Sequence, residues 1–177
     1  MSIEEEPVET VWQGKWITAK RQGKWEFVAR AGGIQAAVIV AIDDEDHVLL
    51  VDQYRVPLGQ RCLELPAGLI GDTQDGDTPL DAARRELIEE TGYDCAAVEE
   101  LGYFHSSPGM VSEGFTLVRA TGLTKVSEGG GVDGEDIIVH RVARADIPTF
   151  VARKRAEGVA IDVKLLLLLA DTLLERA

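Results

Sequence analysis

Basic residues are scarce in this chain. Eighteen Lys and Arg face 31 Asp and Glu, for a formal net charge of −13 at pH 7. Partners held through a nucleic-acid backbone or an anionic membrane require a basic footprint, so neither is expected. An anionic small molecule stays admissible if metal ions carry positive charge to it locally. Cysteine is nearly absent as well. Cys62 and Cys95 are the only two, and two isolated thiols without a signal peptide predict a reducing cytoplasm and no disulfide. The apolar run Leu165–Leu169 is too short to cross a bilayer and reads as a buried helix. What is present is apolar residue content of 45% in 177 residues. That suffices for one globular domain with a real core and a small N-terminal extension.

Alternating patterns and turn residues predict short strands around Val11, at Trp16–Lys20 and at Trp25–Arg30. Ile34–Ile42 is a continuous apolar run that reads as a central strand, and the turn Asp43–His47 predicts a hairpin with Val48–Tyr54. Leu63–Leu65 reads as a short strand turning into a Pro66-Ala67-Gly68 loop. A polar loop over 69–77 leads to a helix, then strands near Ala97–His105, Phe115–Thr121 and Ile137–Arg144. The glycines 129–131 mark a loop expected to be mobile. Helices are expected over Ala145–Glu157 and Ile161–Arg176, the latter capped by Asp162. Strands interspersed with three helices predict a mixed sheet covered on both faces.

The segment Arg85–Gly92, RELIEETG, carries the strongest signal. Glu86 and Glu90 are four apart and share a helix face, with Glu89 at its border. Like charges at this spacing repel, so the cluster calls for a compensating cation. Hard divalent ions take oxygen ligands and pair with substrate phosphates. An acidic run is also what a solvated helix face looks like. The framing is that of a defined helix from Pro79 to Thr91. Thr78 is an N-cap, Asp81 stands at the capping-box position, Leu80, Ala83 and Leu87 make an apolar stripe with Ile88 beside it, and Gly92 is a stop.

Gly68 together with Arg85-Glu86-Leu87-Ile88-Glu89-Glu90-Thr91-Gly92-Tyr93 resembles the Nudix box, G-x5-E-x7-R-E-U-x-E-E-x-G-U. The second half matches at every defined position. The first half departs, with Asp77 where the family has glutamate. Gly71 keeps the five-residue spacing to Asp77, while Gly68 lies three residues too far, which reads as an insertion within Leu69–Gly76. Gln53-Tyr54-Arg55, Glu64-Leu65-Pro66-Ala67-Gly68 and Ser107-Pro108-Gly109 followed by Glu113 are similar to the ADP-ribose pyrophosphatase branch. Pro108 stands fifteen residues after Tyr93, as in that branch's marker. Lys15-Trp16-Ile17 and Lys24-Trp25-Glu26-Phe27 resemble its N-terminal region, which pairs across a homodimer.

The resemblance implies an α/β (α+β) fold, an α/β/α sandwich with a mixed sheet. It places a dimer-forming β region at residues 1–30 and the hydrolase domain at 31–177. It implies Mg²⁺, with Mn²⁺ as a second option, held by Glu86 and Glu90, then Glu89, the Ala67 carbonyl and Glu135. Glu135 is either that ligand or the general base, with Asp133 as the alternative base. Arg85 orients the carboxylates. Arg55 clamps a phosphate or makes a surface ion pair. Glu113 takes ribose hydroxyls or faces solvent, Met110 joins the substrate residues, and Trp16 and Trp25 stack a base or fill a dimer core. His105 is expected to be structural and neither cysteine catalytic. The implied reaction is hydrolysis of ADP-ribose to AMP and ribose 5-phosphate. Its alternatives are another nucleoside diphosphate sugar such as GDP-mannose, or a non-catalytic ligand-binding or regulatory protein.

Overall fold

The computed structural model describes residues 3–33, 35–70, 78–132 and 134–174. Its first part is a three-stranded antiparallel sheet of β1 (Val8–Gln13), β2 (Ile17–Gln22) and β3 (Trp25–Arg30), as the alternation predicts. Such a small sheet has little core of its own. β1 is exposed along its whole length, and Val8, Val11, Trp12, Trp16, Ile17 and Trp25 all present apolar surface. The sheet is fastened to the remainder through β3. The Val28 N–H donates to the Met110 carbonyl at 3.0 Å and the Ser112 N–H to the Val28 carbonyl at 2.9 Å.

The remainder contains two four-stranded sheets. One runs β7 (Ala67–Ile70), β4 (Gln35–Ala41), β9 (Gly114–Lys125), β8 (Tyr93–His105). It is mixed, with β4 and β9 parallel and the other pairs antiparallel. The second runs β10 (Ile138–Ala143), β5 (His47–Arg55), β6 (Gln60–Glu64), β11 (Ala160–Ile161). Helix α1 (Pro79–Glu86) covers the first sheet, and α2 (Ile147–Ala156) and α3 (Leu166–Leu174) pack on the other side. β4 shows why its sequence is apolar without interruption. Ala37, Ile39 and Ala41 pack beneath α1 with Ala83 and Leu87, while Val38 and Val40 join Leu50, Leu63, Ile147, Phe150 and Leu165 in the second cluster. A strand buried on both faces has no polar side to alternate.

Three expectations are corrected. β4 and β5 do not form a hairpin; they touch at one bridge, Ile42–Val48, then part into different sheets. Two strands each buried on both faces become the interiors of two packed sheets. The Pro-Ala-Gly segment is not an open loop, because from Ala67 the chain pairs antiparallel with β4. The leucine run is buried on one face only. Leu165 and Leu169 are in the core, whereas Leu166 and Leu167 are exposed. The proposed insertion beyond Ile70 and Asp77 lie outside the described residues.

Candidate active site

Helix α1 starts as its sequence predicts. The Thr78 hydroxyl accepts the Asp81 N–H at 3.2 Å and Pro79 occupies the first turn. The helix does not stay α-helical to its end. Leu87–Thr91 forms a wider π-turn, closed by Gly92 at φ 76°. π-turns of this kind recur at functional sites. Widening the coil carries the third residue after Glu86 further off its face than an α-helix would. Accordingly Glu86 and Glu90 line the cleft below α1, and Glu89 is not among its lining residues.

Glu90 is 6% exposed, and its Oε2 accepts the Ala67 N–H at 3.0 Å. Burial pushes its carboxyl up to about 8, with Glu86 and Glu135 adding repulsion and the Ala67 N–H and Arg55 opposing. The Glu86 carboxylate lies directly over Gly68, where any Cβ would occupy its place. Arg85 stands where an orienting residue would. Its Nη2 is 3.8 Å from Glu86 Oε1 and donates to the Leu69 carbonyl at 3.4 Å.

The glycine-rich loop, expected to be mobile, is tied to this helix end. The Gly130 N–H donates to the Glu90 carbonyl at 2.9 Å and the Gly131 N–H to the Glu89 carbonyl at 3.0 Å. Gly92 and Gly129 cross so closely that a Cβ on either would strike the other's backbone surroundings. Downstream, the Glu135 N–H donates to the Val132 carbonyl at 3.1 Å, and Glu135 Oε2 accepts the Val132 N–H at 3.0 Å. Glu135 thereby lines the same cleft as Glu86 and Glu90. Asp133 lies outside the described residues.

The cleft holds about 410 Å³. Arg55 lines it in a bidentate pair with Glu64, Nε to Oε1 at 2.7 Å and Nη2 to Oε2 at 2.9 Å. The Glu64 hydrogen bond, outweighing burial, holds the guanidinium above its usual pKa. Arg55 thus makes an ion pair, and its Nη1 stays unpaired among the described residues. Glu113 accepts from Arg30 Nε at the mouth.

Among the lining residues that escaped the sequence reading as site residues are Glu64, Arg30, Lys164, Gln53 and Ser106. Glu64 and Gln53 were within the recognised strand motifs, and Gln53 shares the face of Arg55 two positions on. Nothing local marks Lys164, which arrives from the turn before α3. Gln53 Oε1 is enclosed without a hydrogen-bond partner among the described residues, an unusual state for a buried polar atom.

Trp16, Trp25 and Met110 are exposed and do not line the cleft within one chain. His105 makes an edge-on ring contact with Tyr103. Burial pushes the Cys62 thiol up to about 12, and Cys95 is likewise raised by burial, so both are inert. Among the described residues no three His, Cys, Asp or Glu side chains converge as a ready metal cage. The donor set still fits a hard divalent ion. Glu86, Glu90 and Glu135 share one cleft, and their mutual repulsion, which adds to the burial that raises Glu90, is what such an ion relieves.

The description of the Nudix domain matches residues 33–157. The chain belongs to the Nudix family. Among its relatives, a methanol dehydrogenase activator of Bacillus methanolicus is 38% identical over 115 residues, covering 65% of this chain and 59% of that one. An ADP-ribose pyrophosphatase of Bacillus subtilis is 31% identical over 118 residues, covering 67% and 60%. A GDP-mannose pyrophosphatase of Cronobacter sakazakii is 35% identical over 155 residues, covering 82% and 75%. The chain therefore spans about 60% of the length of the first two. A crystal structure of an ADP compounds hydrolase superposes with a TM-score of 0.69 at 24% identity, covering 97% of this chain and 94% of that one, which establishes the shared fold. The likeness to the ADP-ribose pyrophosphatase branch read from the sequence is borne out at this level.

Proposed function

We propose that the protein hydrolyses the diphosphate of ADP-ribose to AMP and ribose 5-phosphate with Mg²⁺, acting in the cytoplasm as a homodimer. The carrying observation is the charge of the cleft. Glu64, Glu86, Glu90, Glu113 and Glu135 face Arg30, Arg55 and Lys164, five acids against three bases. A diphosphate is repelled by that balance unless a divalent ion accompanies it. Glu86, Glu90 and Glu135, with the Ala67 carbonyl, would hold the ion; Glu89 does not line the cleft and is the weakest of the assigned ligands. When bound, the metal polarises phosphoryl oxygens and acidifies water.

The chain's own groups do the rest. Arg55, braced by Glu64, presents Nη1 to a phosphate oxygen. Arg30 and Glu113 face the ribose side of the mouth. Glu135, held from the loop, takes the proton of the attacking water as the bridging P–O bond breaks. Trp16, Trp25 and Met110 contribute to base binding only from an assembled pair of chains. Arg85 steadies Glu86. Two buried free thiols suit a reducing compartment.

A second substrate reading is favoured by the GDP-mannose pyrophosphatase likeness, which spans more of both chains than the ADP-ribose pyrophosphatase match. Purified protein with Mg²⁺ is to be assayed against ADP-ribose, other ADP-sugars and GDP-mannose, with products traced in ¹⁸O-labelled water. AMP release ranked highest for ADP-ribose supports the first reading. A higher kcat/KM on GDP-mannose replaces it, and no release from any of them defeats both.

A further inference from the structure

Glu135 is followed by Asp136, whose φ of 48° is a left-handed conformation. An aspartate there is uncommon and rests on local support. Arg61 of β6 supplies it. Its Nη1 donates to Asp136 Oδ2 at 2.9 Å and its Nη2 to the Asp136 carbonyl at 2.9 Å. The inner side of the same guanidinium is seated on Asp52, with Nε donating to Oδ1 at 2.6 Å and Nη2 to the carbonyl.

Asp52 is only 2% exposed, and Lys154 of α2 donates to its Oδ2 at 2.9 Å. Burial alone would lift the Asp52 carboxyl, yet the hydrogen bonds from Lys154 and Arg61 overcome it and hold the group below its usual pKa. His140 lies against the same carboxylate, with Nε2 at 3.8 Å from Oδ2. The network joins α2, β5, β6 and the loop without entering the cleft. Asp52 alternates with Gln53 and so points to the opposite face of β5.

An exposed ion pair alone contributes little, and Asp136 is exposed. Two features set this one apart. The guanidinium is immobilised by a buried carboxylate, and it grips the backbone carbonyl as well as the side chain. Upstream, the loop is fixed by Gly130 and Gly131 on the Glu90 and Glu89 carbonyls. Downstream it is fixed by Arg61. Glu135 lies between the two anchors.

We propose that Arg61 is a positioning residue that aims Glu135 into the cleft through Asp136, an inference that rests on Glu135 acting in hydrolysis. The test is Arg61→Lys, which keeps a cation on Asp52 and removes the fork. It should lower kcat by roughly 10- to 100-fold, as displacement of a reacting group does. KM and the melting temperature should stay near those of the wild type. In a Glu135→Gln background the same substitution should cost nothing more, because both changes act through one group. Hydrogen exchange of amides 130–137, which needs no turnover, should be faster in Arg61→Lys. Wild-type kcat, an equal loss in both backgrounds, or unchanged exchange overturns the proposal. A wild type that cleaves no diphosphate substrate defeats the functional reading instead, and the exchange measurement still decides the role of Arg61.

Discussion

At the scale of single residues, Glu90 concentrates the physics of the site. Its carboxyl ordinarily titrates near 4.5 and in the folded chain near 8. The unfolded chain releases that proton first. The stability gained by holding it is complete below about pH 4.5 and is lost as pH rises through about 8. Metal-free protein should therefore melt at lower temperature at pH 8 than at pH 5, and Glu90→Gln should flatten that slope. The same variant should abolish turnover with Mg²⁺ while keeping the fold, checked by circular dichroism beside the assay; near-normal activity would remove Glu90 from the site. Gln53 gives a contrasting case. Its enclosed oxygen has no partner among the described residues, so Gln53→Leu should leave stability unchanged or raise it by about 1 kcal/mol in denaturant titration. It should also raise KM if substrate supplies the missing donor. Glu86 and Glu90 were legible because they stand in one contiguous motif. Arg30, Glu64 and Lys164 were not, because a cation or carboxylate on a strand end or turn acquires its meaning only from neighbours distant in sequence.

At the scale of elements, local codes were reliable and pairing was not. Thr78, Pro79 and Gly92 mark the start and stop of the acidic helix because caps act within one turn. β4 and β5 looked like a hairpin because turn chemistry is local, whereas sheet membership depends on which faces are buried. The π-turn was invisible, since Leu87–Thr91 has ordinary helical residues, and it is what separates Glu89 from Glu86 and Glu90. The loop from Ser127 to Glu135 gives the clearest test at this level. Gly129 (φ 68°) and Gly134 (φ 88°) both have left-handed backbones, but a Cβ on Gly129 meets the Thr91 backbone while one on Gly134 meets open space. Gly129→Ala should destabilise by more than about 1 kcal/mol and slow catalysis, since strain and collision add. Gly134→Ala should carry the strain alone. Thermal melts of the pair would distinguish them, and equal shifts would mean the crossing at Gly92 tolerates a side chain.

At the scale of the whole molecule, the three-stranded N-terminal sheet is the part least complete in one chain. Trp16 and Trp25 were read from sequence as a base-stacking or dimer surface, and in the fold they are exposed and do not line the cleft. Light scattering at micromolar concentration should give twice the chain mass, and Trp16→Ala with Trp25→Ala should shift it toward one. A monomeric wild type would refute the pairing. Arg30 is the last residue of β3, and it is also the partner of Glu113 at the mouth of the cleft. The entrance to the site is therefore built partly from the element proposed to meet a second copy. Turnover per chain should then depend on how much protein is in the cuvette, falling on dilution well before any chain unfolds.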